Sequence, residues 1–112
     1  MLNQYDHPDL QQLAVVLRAL SHPHRLAILR LLLRGRHCNC ELAAALGLAI
    51  NLISHHLRTL EQAGLVCGER APQDARWIYY SVDVPAMQAA RSALFTFLDP
   101  SGIAPRDPQC PR

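Results

Sequence analysis

Residues 41–82 constrain the fold of this chain more tightly than any other stretch. Glu41-Leu42-Ala43-Ala44-Ala45-Leu46 runs into Gly47, and Ile53-Ser54-His55-His56-Leu57-Arg58-Thr59-Leu60 runs on to Gly64. The small residues Ala43 to Ala45 let two helices cross closely, and Gly47 can take a left-handed turn between them without a side-chain penalty. Ile53, Leu57 and Leu60, at i, i+4 and i+7, make one buried stripe on the second helix. Its other face is left with Asn51, Ser54, His55 and Arg58. Leu65 to Arg70 and Arg76 to Val82 read as two strands around the breaker-rich Ala71-Pro72-Gln73-Asp74. Helix, glycine turn, helix and hairpin in that order predict a winged helix-turn-helix, with the second helix facing the major groove of DNA.

The flanks complete the pattern. Asp6 and Pro8 open a helix to about Leu20, with Leu10, Leu13, Val16, Leu17 and Leu20 on one face. Ser21 is the expected cap of a second helix carrying Leu26, Ile28, Leu29, Leu32 and Leu33, which stops near Gly35. The third and fourth helices span about Asn39–Leu46 and Ile50–Ala63. Asp83 and Pro85 open a last helix to about Leu98, with Met87, Ala90, Leu94, Phe95 and Leu98. The expected architecture is mainly α with a two-stranded β-wing, in the order α-α-α-α-β-β-α. It comprises one domain over residues 1–99 and a loose, proline-rich tail over 100–112. A chain of 112 residues hides a limited share of its surface. Apolar helices at both ends therefore suit a dimer interface.

Composition narrows the function classes. No apolar run reaches the roughly 18 residues of a membrane span, and Met1 to Asp6 lacks the basic and apolar parts of a signal peptide. The expected location is the cytoplasm, with no membrane partner. The net charge is only +2, and all eleven basic residues are arginine, so nucleic-acid binding must rest on local placement. Arg70 and Arg76 flank the hairpin tip and can reach phosphates or the minor groove, partly offset by Glu69 and Asp74. His-Glu-x-x-His, Gly-rich phosphate loops and Cys-x-x-Cys are absent. Ser54 and His55 are adjacent on a helix and diverge, so they are not a nucleophile and its base. An enzyme is therefore not expected; a protein-binding adaptor is the minority alternative.

Cysteines stand at 38, 40, 67 and 110. Thiols rather than a disulfide framework are expected, because long helices already supply a core. Cys38-Asn39-Cys40 opens the third helix, where the helix dipole favours thiolates, the form that soft ions bind. Arg36 and His37 add positive character. On a regular helix residues i and i+2 point about 200° apart, so one ion shared by both sulfurs requires an unwound first turn. That distortion would reach the recognition helix, a coupling between two sites. The histidines read otherwise. His22 and His24 suit packing and capping at a helix end, and His55 and His56 suit DNA contact or structure rather than metal ligation.

The segments Ala19-Leu20-Ser21-His22-Pro23-His24-Arg25-Leu26-Ala27-Ile28-Leu29, Leu46-Gly47-Leu48, Ser54-His55-His56-Leu57, Gly64-Leu65-Val66 and Trp77-Ile78-Tyr79-Tyr80 together resemble the ArsR/SmtB family of metal-sensing repressors. The resemblance covers residues 10 to 98. It implies a homodimer built on the first and last helices, bound to double-stranded operator DNA at an inverted repeat. It also implies release when an inducer binds. Cys38 and Cys40 resemble the Cys-x-Cys inducer site of the arsenite, cadmium and lead sensors. The implied inducer is As(III) or Sb(III), with Cd(II) or Pb(II) next, and no obligatory cofactor. The family's common third thiolate position is Ala43 here, leaving Cys110, from either protomer, or Cys67, or a water or His37. The family's other metal site uses Asp and His on the last helix. Asp83 is present but no histidine follows His56, so the resemblance implies that this zinc site is missing. Ala49, Ile50 and Leu52 depart from the polar entry of many relatives. Ala as a cap costs about 1 kcal/mol relative to Ser, while Ile50 and Leu52 can touch a thymine methyl. A redox- or persulfide-responsive repressor of the same fold is the alternative. Inducer, operator, regulated genes and repression versus activation stay open.

Overall fold

The computed structural model describes residues 8–111; the expected Asp6 cap lies outside the described residues. Helix α1 covers Pro8–Leu20, with Asp9 in its first turn and Arg18 in its last, each of the sign that complements the helix dipole. Helix α2 covers Pro23–Leu32 and is capped by His22, not by Ser21. Pro23 occupies the first helical position and pushes the residue before it into extended backbone, so His22 takes φ −145°, ψ 131°. Its Nδ1 accepts the His24 N–H at 3.0 Å. Ser21 Oγ instead donates to Arg18 O at 2.8 Å and closes α1.

After α2 come strand β1 (His37–Cys38), helix α3 (Asn39–Leu46) and helix α4 (Ile50–Gln62). Gly47, at φ 64°, makes the left-handed turn between α3 and α4. Strands β2 (Val66–Arg70) and β3 (Ile78–Val82) form the hairpin, and helix α5 (Val84–Phe97) follows with Asp83 Oδ1 accepting the Ala86 N–H at 3.0 Å. A short 3-10 turn at Pro100–Gly102 ends the regular structure, and residues 103–111 are exposed and irregular.

The wing differs from expectation in having a third strand. The sheet order is β1-β3-β2, antiparallel throughout, with His37 opposite Tyr80 and Cys38 opposite Tyr79. Two residues are too few to show an alternating pattern in sequence, so β1 was invisible there. Arg76 and Trp77, expected within the second wing strand, lie before β3 in the connecting loop. Gly68 stands opposite Tyr80 in the hairpin. A Cβ there would lie 2.7 Å from the Tyr80 ring, so only glycine lets that ring lie flat on the strand.

Ile28, Leu42, Ile53, Leu57, Leu60 and Leu65 are fully buried and tie α2, α3, α4 and the start of the wing together. Burying each contributes about 1.5–3 kcal/mol before entropy. Of α1, Val16 and Ala19 join this core and Leu13 is also buried, whereas Leu10 and Leu17 stay exposed. Helix α5 packs against α1 but has no buried residue; Phe95 is 80% exposed and Phe97 and Leu98 are also exposed. Apolar surface of this extent on the two terminal helices marks an interaction face.

Candidate nucleic-acid interface and donor clusters

Helix α4 is amphipathic, and its two faces do different things. Ile53, His56, Leu57 and Leu60 are buried, which turns Asn51, His55 and Arg58 outward and leaves Ser54 half-buried. Ile50 and Leu52 at the helix start are also exposed. Ala49 provides no side-chain cap, so the first N–H groups of α4 have no capping side chain. The face therefore carries hydrogen-bond donors, acceptors and apolar contacts of the kinds that read base edges.

The wing's arginines are engaged with their own loop. Arg76 grips Asp74 through Nε at 3.0 Å and Nη2 at 2.6 Å, and this pairing holds the Asp74 carboxyl below its ordinary range. Arg70 Nη1 donates to Ala75 O at 2.7 Å. Arg36 lies 4.6 Å from the Tyr79 ring centre and 3.5 Å from Glu69. Both ion pairs are exposed and contribute little to stability. The pair of Arg76 with Asp74 does order the wing loop.

At the start of α3 the structure corrects the expectation of free thiols: Cys38 and Cys40 are paired in a disulfide, while Cys67 and Cys110 are free and exposed. The expected unwinding is unnecessary. Cys38 is the N-cap of α3, in extended backbone at φ −73°, ψ 149°, and Cys40 is inside the first turn. The two Cα atoms are 5.3 Å apart, within the range that a disulfide spans. Cys38 Sγ also accepts the Cys40 N–H at 3.4 Å, and Glu41 Oε1 accepts the Cys38 N–H at 2.8 Å, which completes a capping box. Buried Asn39 ties this end to the wing, because its Oδ1 accepts both the Cys40 N–H at 3.0 Å and the Ile78 N–H at 3.4 Å. Cys67 pairs with Ser81 on the far side of β3, about 10 Å sideways from β1 at the spacing of two strands. Within one chain, neither Cys67 nor Cys110 joins Cys38 and Cys40 in a three-donor group among the described residues.

Sequence reasoning missed a second cluster. His22, His24 and His56 each bring a ring nitrogen within 4.8 Å of the others. His56 is only 3% exposed. Arg25 Nη1, which can only donate, lies 3.2 Å from His56 Nδ1. His56 Nδ1 therefore accepts, and its Nε2–H donates to His24 Nδ1 at 3.3 Å. Burial first, then the charges of His22 and Arg25, push His56 down to about 4, and burial likewise lowers His22. The three residues are 32 positions apart at the widest hydrogen-bonded pair, and no spacing rule joins them.

Comparison with known proteins converges on one assignment. Residues 22–67 match the bacterial regulatory protein arsR family. The chain is 40% identical over 79 residues to the HTH-type transcriptional regulator NmtR of Mycobacterium tuberculosis, covering 70% of this chain and 66% of that protein. It is 35% identical over 85 residues to the HTH-type transcriptional regulator YgaV of Escherichia coli, covering 75% of this chain and 83% of that one. The chain spans two thirds or less of the length of the first curated relatives it matches. Among solved structures, the homodimeric winged helix-turn-helix DNA-binding domain Mb0332 of Mycobacterium bovis aligns with TM-score 0.66 at 28% identity, covering 87% of this chain and 85% of that one. A possible transcriptional regulator for arsenical resistance aligns with TM-score 0.66 at 31% identity, covering 80% and 86%. These relatives are DNA-binding regulators and not enzymes. With its winged helix-turn-helix and these relatives, the chain belongs to the arsR family of bacterial regulatory proteins.

Proposed function

We propose that this chain, as a homodimer, binds operator DNA in the cytoplasm and represses transcription until Cys38 and Cys40 capture a soft metal or metalloid, with As(III) or Sb(III) favoured over Cd(II) or Pb(II). The observation that carries the reading is the position of the two sulfurs. They meet at the start of α3, and Asn39 between them is hydrogen-bonded to Ile78 of the wing. Any change in sulfur geometry therefore pulls on both the helix that supports α4 and the strand that supports the wing. Reduced, the pair offers two soft donors to one ion. A third thiolate would come from Cys110, on the exposed tail of either protomer, or from Cys67 if the wing moves, since Cys67 lies two strands from β1. The likeness to a possible transcriptional regulator for arsenical resistance supports the choice of ion.

Asn51, Ser54, His55 and Arg58 are assigned to the major groove, and Arg70 and Arg76 to phosphates or the adjacent minor groove. The exposed apolar faces of α1 and α5 and the likeness to a homodimeric domain support a dimer through these helices. Two recognition helices would then enter successive major grooves roughly 34 Å apart.

The test is fluorescence anisotropy of the reduced protein on a duplex from its own upstream region, at one fixed salt concentration. Tight binding released by arsenite, and retained in Cys38→Ser and Cys40→Ser proteins, is the expected result. Release that persists in either variant would remove the pair from the mechanism. A second reading has its own support, since the structure pairs Cys38 and Cys40 as a disulfide: the same dithiol responds to oxidants or persulfides. Release by a thiol oxidant but by none of As(III), Sb(III), Cd(II) or Pb(II) would select it.

A further inference from the structure

The thiol pair is not the molecule's one concentration of metal-binding atoms. We propose that His22, His24 and His56 form a second, nitrogen-only site for a borderline divalent cation such as zinc or cobalt, joining the amino end of α2 to the recognition helix α4. His24 Nδ1 and His56 Nε2 are already 3.3 Å apart. Two nitrogens each bound at about 2.0–2.1 Å to one tetrahedral ion stand at nearly this separation. The third donor, from His22, lies within 4.8 Å of both, a gap that a rotation of this half-buried ring closes. Three imidazoles leave a fourth position for water. No thiolate or carboxylate belongs to the cluster, so its preference runs to borderline ions rather than to soft metalloids.

An arriving cation displaces hydrogen bonds. Whichever nitrogen His56 offers, its Nδ1 stops accepting from Arg25, either because it binds the ion or because it now carries the ring proton. By the same logic His22 gives up the capping bond from the His24 N–H. Arg25 keeps its anchor, Nε to Ala19 O at 2.6 Å, while its guanidinium turns from the site. Loading thus exchanges one bond that seats α2 on α4, and one that caps α2, for a rigid bridge between the two helices. The site's influence on α4 is separate from that of Cys38 and Cys40.

The experiment uses full-length protein with all four cysteines replaced (Cys38→Ser, Cys40→Ser, Cys67→Ser, Cys110→Ser), titrated with cobalt(II) alone. The expected result is one equivalent bound, with the visible bands of a four-coordinate nitrogen site and no sulfur charge-transfer band. In that background His22→Gln and His24→Gln, both on half-buried rings at a helix start, should weaken cobalt binding by roughly tenfold or more. Circular dichroism confirms that each variant is folded, which buried His56 variants need not be. Failure of the cysteine-free protein to bind cobalt, or binding unchanged in His24→Gln, would overturn the proposal.

Discussion

The amino ends of α2 and α3 each gather metal-binding atoms, and they are assembled in opposite ways. At α3 the donors are two residues apart in sequence, and the cap itself is one of the sulfurs. At α2 two rings come from the helix start and the third arrives from α4, brought there by burial of Ile53, Leu57 and Leu60. The first cluster exists wherever a helix start exists. The second exists only in the packed domain, so its state reports on the seating of the recognition helix. One gathers sulfur atoms and the other imidazole nitrogens.

Acid should separate the two most strongly. His56 is held at about 4 in the fold against 6.5 for the free side chain, so the unfolded chain binds more protons between these values. Stability is then unaffected by this group above pH 6.5 and falls as pH drops toward 4, by up to roughly 3 kcal/mol. Urea unfolding of chelator-treated protein across this range measures it, and a flat profile would erase the contrast. The sulfur pair contributes nothing to that window. Asn39→Ala, which strips the shared acceptor from Cys40 N–H and Ile78 N–H, should cost about 1–2 kcal/mol. The acid slope should survive it; a slope that changed with Asn39 would mean the clusters are coupled. Arg76→Ala is the smallest change, with little effect on stability because the pair with Asp74 is exposed. If Arg76 meets a phosphate, the salt dependence of DNA binding should fall by about one counterion. An unchanged slope would confine Arg76 to ordering the wing loop.

The same contrast explains how much of the molecule could be read from residues alone. Helices opened by Asp83 or stopped by Gly47 were legible, because caps and turns are local chemistry. So was the outward face of α4, since Ile53, Leu57 and Leu60 fall on one side by helical period. Cys38 and Cys40 were recognisable as a pair, but the angle between their sulfurs was not. That angle depends on Cys38 standing just outside the helix, one residue from where a regular helix would place it. Strand β1 had too few residues to carry a pattern and is held by Tyr79 and Tyr80, some forty positions downstream. The histidine cluster was hidden for the same reason: His22 and His24 look like helix-end residues, and only the crossing of α2 and α4 supplies His56.

Gly68 sets a limit on how such a wing can diversify. The loop from Ala71 to Trp77 is exposed for most of its length and can change in size or charge with little consequence for the sheet. At Gly68 even a methyl group would drive into the Tyr80 ring, and Tyr80 is also the partner of His37 beside the sulfur pair. Variants drawn at random from the hairpin should therefore accumulate at its tip and be purged at its waist. The wing's contacts with DNA could then change by replacing the loop, while the link from the sulfur pair to the wing stays intact.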